Sequence, residues 1–172
     1  RVVVAGCLAQ RYKEKLAKEL KEVDAFVGRL SLDEIGIASS YKLTPKHFAY
    51  VKICEGCINK CSYCVIPQIK GALTSRPIES IIQEIKRLDR EKVSEINLIG
   101  QDITSYGIDL YKTPKLNLLL KETLRQTKNF RWLRLLYTNP TRIDDGLINL
   151  IKSEERIVKY LDLPIQHVND KI

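Results

Sequence analysis

The chain has 172 residues, of which 44% are hydrophobic and 29% charged, and its formal net charge is +8. That is apolar material enough for a folded core, and length enough for one domain or parts of two. No apolar run approaches the ~20 residues that cross a bilayer, and no signal-peptide pattern is visible, so the cytosol is the expected setting.

The charge admits two readings. A basic field attracts nucleic acid or a ribosomal partner, whereas Lys and Arg interleaved with Glu make an ordinary solvated face. Lys13, Lys15, Lys18 and Lys21 alternate with Glu, as do Lys86, Arg87, Arg90 and Lys92. Charge alone decides neither.

Along the chain, Val2 to Val4 form a β-branched run that Gly6 ends. Tyr12, Leu16 and Leu20 recur every four residues and predict an amphipathic helix to about Glu22. Phe26–Gly28 reads as a short strand. Ser39-Ser40 and Pro45 mark a linker, and a domain boundary is expected near Leu43, dividing residues 1–42 from 43–172. Beyond it Phe48–Ile53 reads as a strand leading straight into a cysteine loop. Pro77 suits the first position of a helix, and Ile78, Ile81, Ile82, Ile85 and Leu88 form its apolar stripe. Glu95–Ile99 is a strand, Leu116, Leu119, Leu120 and Leu124 mark a helix, and Trp132–Tyr137 is a strand in which Trp132 is expected to pack in the core. Leu147, Leu150 and Ile151 mark another helix, and Val158–Leu163 a fourth strand. Four strand–helix alternations predict an α/β fold with a parallel sheet. The chain contains no Met, opens on a buried-strand pattern and stops soon after another, so it is expected to be an internal piece of a longer protein.

The five cysteines are Cys7, Cys54, Cys57, Cys61 and Cys64. Disulfides are not expected in a reducing cytosol, which leaves a metal site or a catalytic thiol. Cys54-x-x-Cys57 and Cys61-x-x-Cys64 look like two zinc knuckles, but structural zinc sites usually separate their ligand pairs by about a dozen or more residues. Here only Ile58-Asn59-Lys60 intervene. Cys54 also continues the strand before the loop, which holds it away from the others. The remainder is Cys57-x-x-x-Cys61-x-x-Cys64. Three thiolates on one loop fit three irons of a [4Fe–4S] cluster, leaving the fourth iron open to a substrate or cofactor. Zinc stays the alternative.

With Tyr63 supplying the aromatic before Cys64, this loop resembles the radical S-adenosylmethionine superfamily, whose signature is C-x-x-x-C-x-aromatic-C. The resemblance implies a partial (β/α) barrel, here its first four strands, with the cluster loop after the first of them. It implies S-adenosylmethionine on the open iron. One electron, from a donor the sequence does not name, then releases a 5′-deoxyadenosyl radical, while the protein orients the reactants and excludes water. Tyr63, Gly100 and Gln101 are the cofactor-binding residues it suggests.

The resemblance narrows to the methylthiotransferases. Val4-Ala5-Gly6-Cys7-Leu8-Ala9-Gln10-Arg11 is similar to the end of their N-terminal α/β domain, where Cys7 would be one of three ligands to a second [4Fe–4S] cluster. Ile66-Pro67 through Gly71 to Ser75-Arg76-Pro77 matches the segment after the cluster loop. Leu43 to Tyr50, Gly100 to Gly107, Asp109-Leu110-Tyr111 and Leu163 to His167 resemble the branch that modifies an aspartate of a small-subunit ribosomal protein; the other branch modifies an adenosine in tRNA. The implied reaction assembles a methylthio group at the second cluster, removes hydrogen from the aspartate β-carbon, and joins sulfur to that carbon. A competing class is a zinc or iron–sulfur module that docks on RNA or the ribosome without chemistry.

Gln101 and Asp102 follow a strand at its C-terminal end, where barrel enzymes place their sites; an Asx turn at Asp102 is the plainer reading. His167 also lies past a strand end, as a possible base or an ordinary loop histidine. No residue is assigned as catalytic.

Overall fold

A computed structural model describes residues 1–28, 44–165 and 167–171. The boundary expected near Leu43, and Gln166, lie outside them. The described residues fall into two compact units, residues 1–28 with 56–72, and residues 44–55 with 73–171.

In the first unit, β1 (Val3–Ala5) pairs in parallel with β2 (Ala25–Val27), one residue later than Val2–Val4 and one earlier than Phe26–Gly28. Between them runs α1 (Cys7–Glu19). It stops short of Glu22, and its expected stripe is incomplete: Leu16 and Leu20 are half-buried, but Tyr12 is exposed and non-helical (φ −125°, ψ 21°). The Arg11 guanidinium lies 4.9 Å from the Tyr12 ring centroid, so the ring takes a cation–π partner instead of an apolar one. A short helix, α2 (Ile66–Lys70), with Pro at its second position, packs on α1.

The second unit is built on three parallel strands in the order β3 (Phe48–Lys52), β6 (Glu95–Ile99), β7 (Trp132–Leu135). In register, Ala49 opposes Ile96, which in turn opposes Leu133, and Val51 opposes Leu98, which opposes Leu135. These side chains are all buried on one face, because successive strand residues point to opposite sides. Helix α3 (Ile78–Arg90) covers that face with the predicted stripe of Ile78, Ile81, Ile82, Ile85 and Leu88. Burying each such side chain is worth about 1.5–3 kcal/mol. Pro77 is the residue before the helix instead of its first member. A four-residue helix, α4 (Ile108–Tyr111), precedes α5 (Leu116–Gln126); α5 packs on α3, and α6 (Asp145–Ser153) packs on α5.

Two expectations are corrected. Trp132 is 41% exposed, since it shares the opposite face of β7 from Leu133 and Leu135, with the Arg131 guanidinium 4.9 Å from its ring. Val158–Leu163 is no strand: a single parallel bridge joins Ile157 to Leu133, after which the segment bonds to the loop beyond β7, with Thr138 N–H donating to the Asp162 carbonyl (3.0 Å). The parallel α/β pattern holds over three strands.

Candidate functional site

The cysteine loop leaves the second unit through β4 (Cys54–Glu55) and returns through β5 (Thr74–Ser75), an antiparallel pair with Cys54 opposite Ser75 and Glu55 opposite Thr74. Gly56 opens the loop at φ +72°, where a Cβ would collide with the Ala72 carbonyl, so only glycine fits. Cys57 N–H donates to the Gly71 carbonyl (3.3 Å) and closes the neck.

Cys57 and Cys64 are half-buried and Cys61 is exposed; all three are free thiols. Asn59 N–H donates to Cys57 Sγ (3.4 Å), the kind of bond that tunes an iron–sulfur site. Cys64 N–H donates to the Cys61 carbonyl (3.0 Å), turning the chain so that these two cysteines share one bend. Tyr63 is exposed at 69% and stands beside them; desolvation first, then Cys61 and Cys64, pushes its phenol above the ordinary value. Cys7 is the exposed first residue of α1, in the same unit as the loop. Cys54 belongs to the second unit, fully buried in β4, with its thiol 3.9 Å from the Asp102 carbonyl. Among the described residues no three His, Cys, Asp or Glu side chains converge as ligands of one metal ion. A single ion must draw its thiolates together, whereas a cubane offers each thiolate an iron of its own. Three soft, unpaired thiols on a closed loop are a donor set that fits a cluster.

Gly100 and Gln101 lie in the second unit, at the C-terminal end of β6. Gln101 is half-buried, and its Oε1 is a buried acceptor with no donor. Asp102 makes the expected Asx turn, its Oδ1 accepting from Thr104 N–H (3.0 Å), and its Oδ2 is 3.0 Å from Arg142 Nη1. That ion pair spans 40 residues, so no local pattern announces it. The segments Ser75-Arg76-Pro77 and Tyr106–Tyr111, singled out separately in the sequence, meet in the structure. Ser75 N–H donates to Asp109 Oδ2 (2.7 Å), Gly107 N–H to Ser75 Oγ (2.9 Å), and the Tyr106 hydroxyl to the Arg76 carbonyl (2.7 Å). Burial, chiefly, pushes the Tyr106 phenol well up, so it remains a donor. Arg76 in turn reaches the Lys52 carbonyl (2.8 Å) and Glu84 (2.6 Å), tying this cluster to β3 and α3. His167 is exposed, its Nδ1 accepting from Asn169 N–H (2.8 Å).

The family model described as "Radical SAM superfamily" matches residues 51–172. The chain belongs to the radical SAM superfamily. Membership accounts for the parallel sheet followed at once by a three-cysteine loop, and it implies a [4Fe–4S] cluster with S-adenosylmethionine. Radical SAM structures also share the fold: a radical S-adenosylmethionine methyltransferase, TsrM from Kitasatospora setae, superposes with a TM-score of 0.54 over 72% of this chain and 23% of its own, at 16% identity. Among curated proteins, "Ribosomal protein uS12 methylthiotransferase RimO" of Citrifermentans bemidjiense is 44% identical over 99% of this chain and 44% of its own length. The protein of the same name from Geobacter sulfurreducens is 45% identical over 99% and 44%, and that from Aquifex aeolicus 44% identical over 99% and 41%. The chain thus spans less than half the length of these relatives. Among the described residues no helix is long and apolar enough to cross a membrane.

Proposed function

We propose that this chain is the cluster- and cofactor-binding part of a methylthiotransferase that modifies an aspartate of the small-subunit ribosomal protein uS12. The observation that carries the reading is the 44% identity, across 99% of the chain, to a relative named for that activity. Cys57, Cys61 and Cys64 hold a [4Fe–4S] cluster, and Cys7 contributes to a second one. Gly100 and Gln101 meet S-adenosylmethionine. Bound there, these groups supply the one-electron reduction and hydrogen-atom removal that a saturated carbon requires.

The chain's own part is positioning. Asn59 N–H stabilises negative charge on Cys57 Sγ, and the Cys57–Gly71 bond holds the loop closed. Gln101 Oε1, buried and in want of a donor, suits the ammonium group of an amino-acid cofactor. Tyr63 leaves a flat aromatic surface beside Cys61 and Cys64. Mass spectrometry of ribosomal proteins from a strain lacking the gene tests the reading. Loss of a methylthio group from the uS12 aspartate is expected; loss from tRNA with uS12 unchanged would refute it.

A further inference from the structure

The loop that carries Gln101 is fastened by a residue of another loop. Asp102 is 3% exposed, and its two carboxylate oxygens have separate tasks. Oδ1 accepts from the Thr104 amide and the Thr104 hydroxyl, which shapes the turn Ile103–Ser105. Oδ2 takes Arg142 Nη1 at 3.0 Å, with the arginine side chain 26% exposed. Two more bonds join the same loops: Ile103 N–H donates to the Tyr137 carbonyl (3.0 Å), and Asn139 N–H to Thr104 Oγ1 (3.4 Å). Arg142 itself ends a turn, Pro140–Arg142, that Asn139 caps by accepting from the Thr141 amide (3.0 Å) and hydroxyl (2.8 Å). Its base is therefore fixed before its guanidinium reaches Asp102. Gln101 lies between Gly100, which is packed against Cys54, and the anchored Asp102, and its Oε1 is the buried acceptor of this loop with no donor.

We propose that Arg142 is a positioning residue: through Asp102 it fixes the loop that aims the Gln101 amide at S-adenosylmethionine. This rests on the reading of Gln101 as a cofactor contact. A binding group must be held within a fraction of an ångström to be useful, and loops manage that only when a second layer locks them. A buried carboxylate left without its cation turns toward whatever donor it can find, and the adjacent residue moves with it. Lysine keeps the charge but lacks the rigid, planar fork that sets the angle.

The test measures S-adenosylmethionine binding to the full-length protein with its cluster reconstituted, by equilibrium dialysis and by the change the cofactor makes in the electron-spin signal of the reduced cluster. Arg142→Met and Gln101→Ala are each expected to raise Kd about tenfold, as supporting residues around metal sites do, with iron content unchanged. The double variant is expected to bind no worse than Gln101→Ala, and Arg142→Lys to fall between parent and Arg142→Met. Wild-type affinity in Gln101→Ala overturns the reading of Gln101 and this inference together. Weakened binding in Gln101→Ala with parental affinity in the arginine variants overturns the inference alone, as do additive losses in the double variant. If Arg142→Met does not fold, Arg142→Lys carries the same comparison.

Discussion

Gly100 and Cys54 are a matched pair: a Cβ at Gly100 would stand 2.6 Å from Cys54 Sγ, closer than real Cβ contacts come. One residue follows β6 and leads into the Gln101 loop, and the other begins the short strand before the cysteine loop. The missing side chain at one makes room for the thiol at the other. Cys54 is thereby committed to packing, fully buried with its thiol 3.9 Å from the Asp102 carbonyl.

This contact predicts a non-additive double mutant. Gly100→Ala alone is expected to destabilise by about 1–3 kcal/mol through overpacking. Cys54→Ala empties the space that the new methyl needs, so the pair should cost less than the sum, with a coupling of about 1 kcal/mol. Urea unfolding of the four proteins measures it, and simple additivity would show that the clash lies elsewhere.

Iron content should separate the cysteines. Cys57→Ala, Cys61→Ala and Cys64→Ala are each expected to abolish the cluster of the loop, while Cys54→Ala keeps its iron. The count of iron and sulfide after anaerobic reconstitution decides it. Equal loss in Cys54→Ala would restore the four-cysteine, zinc-like arrangement.

Asp89, 6% exposed near the end of α3, collects the amides of Lys128 (3.2 Å), Asn129 (2.8 Å) and Phe130 (2.8 Å). It thus shapes the entry to β7 from 39 to 41 residues away. Asp89→Ala strands three donors, and hydrogen bonds to a charged group contribute about 1.5–3 kcal/mol each, not additively. A loss of about 3 kcal/mol or more in unfolding free energy is expected, whereas a loss under about 1 kcal/mol would mean that water replaces the carboxylate at little cost.

Asp144 gives a pH dependence. Its carboxylate accepts from Leu147 N–H (2.7 Å) and then the Asn117 amide (3.1 Å), which hold its pKa below the ordinary aspartate value. A lowered native value means the unfolded chain binds the proton first as pH falls. The stabilisation is therefore complete above the unfolded value of about 3.9 and is lost as pH drops through the native one. Asp144→Ala, which removes the cap of α6, should cost about 1 kcal/mol at pH 7. The gap from the parent should narrow below about pH 4. A gap constant with pH would show that the charge is irrelevant to the cap.

Where burial follows a local period, the sequence reveals the structure. The α3 stripe and β6 at Glu95–Ile99 were legible, because spacing along the chain sets which side chains share a face. Trp132 was misread because an apolar strand suggests two buried faces, whereas Trp132 shares its face of β7 with Arg134 and is exposed. Tyr12 breaks a stripe that its spacing promised, since its ring takes Arg11 as partner. The short pair β4–β5 and the Asp102–Arg142 and Asp89–Asn129 contacts have no local signature at all. They are long-range pairings, formed only after the sheet has brought their loops together.

The pairing of Glu55 with Thr74 has a bearing on what closing the cysteine loop costs. A loop with loose ends must lose the entropy of closing at the moment it captures its metal, and that cost is subtracted from affinity. Here the ends are held side by side by the backbone pairing of β4 with β5. Closure is thereby assigned to hydrogen bonds of the backbone, and the three thiols of the loop are left out of that task.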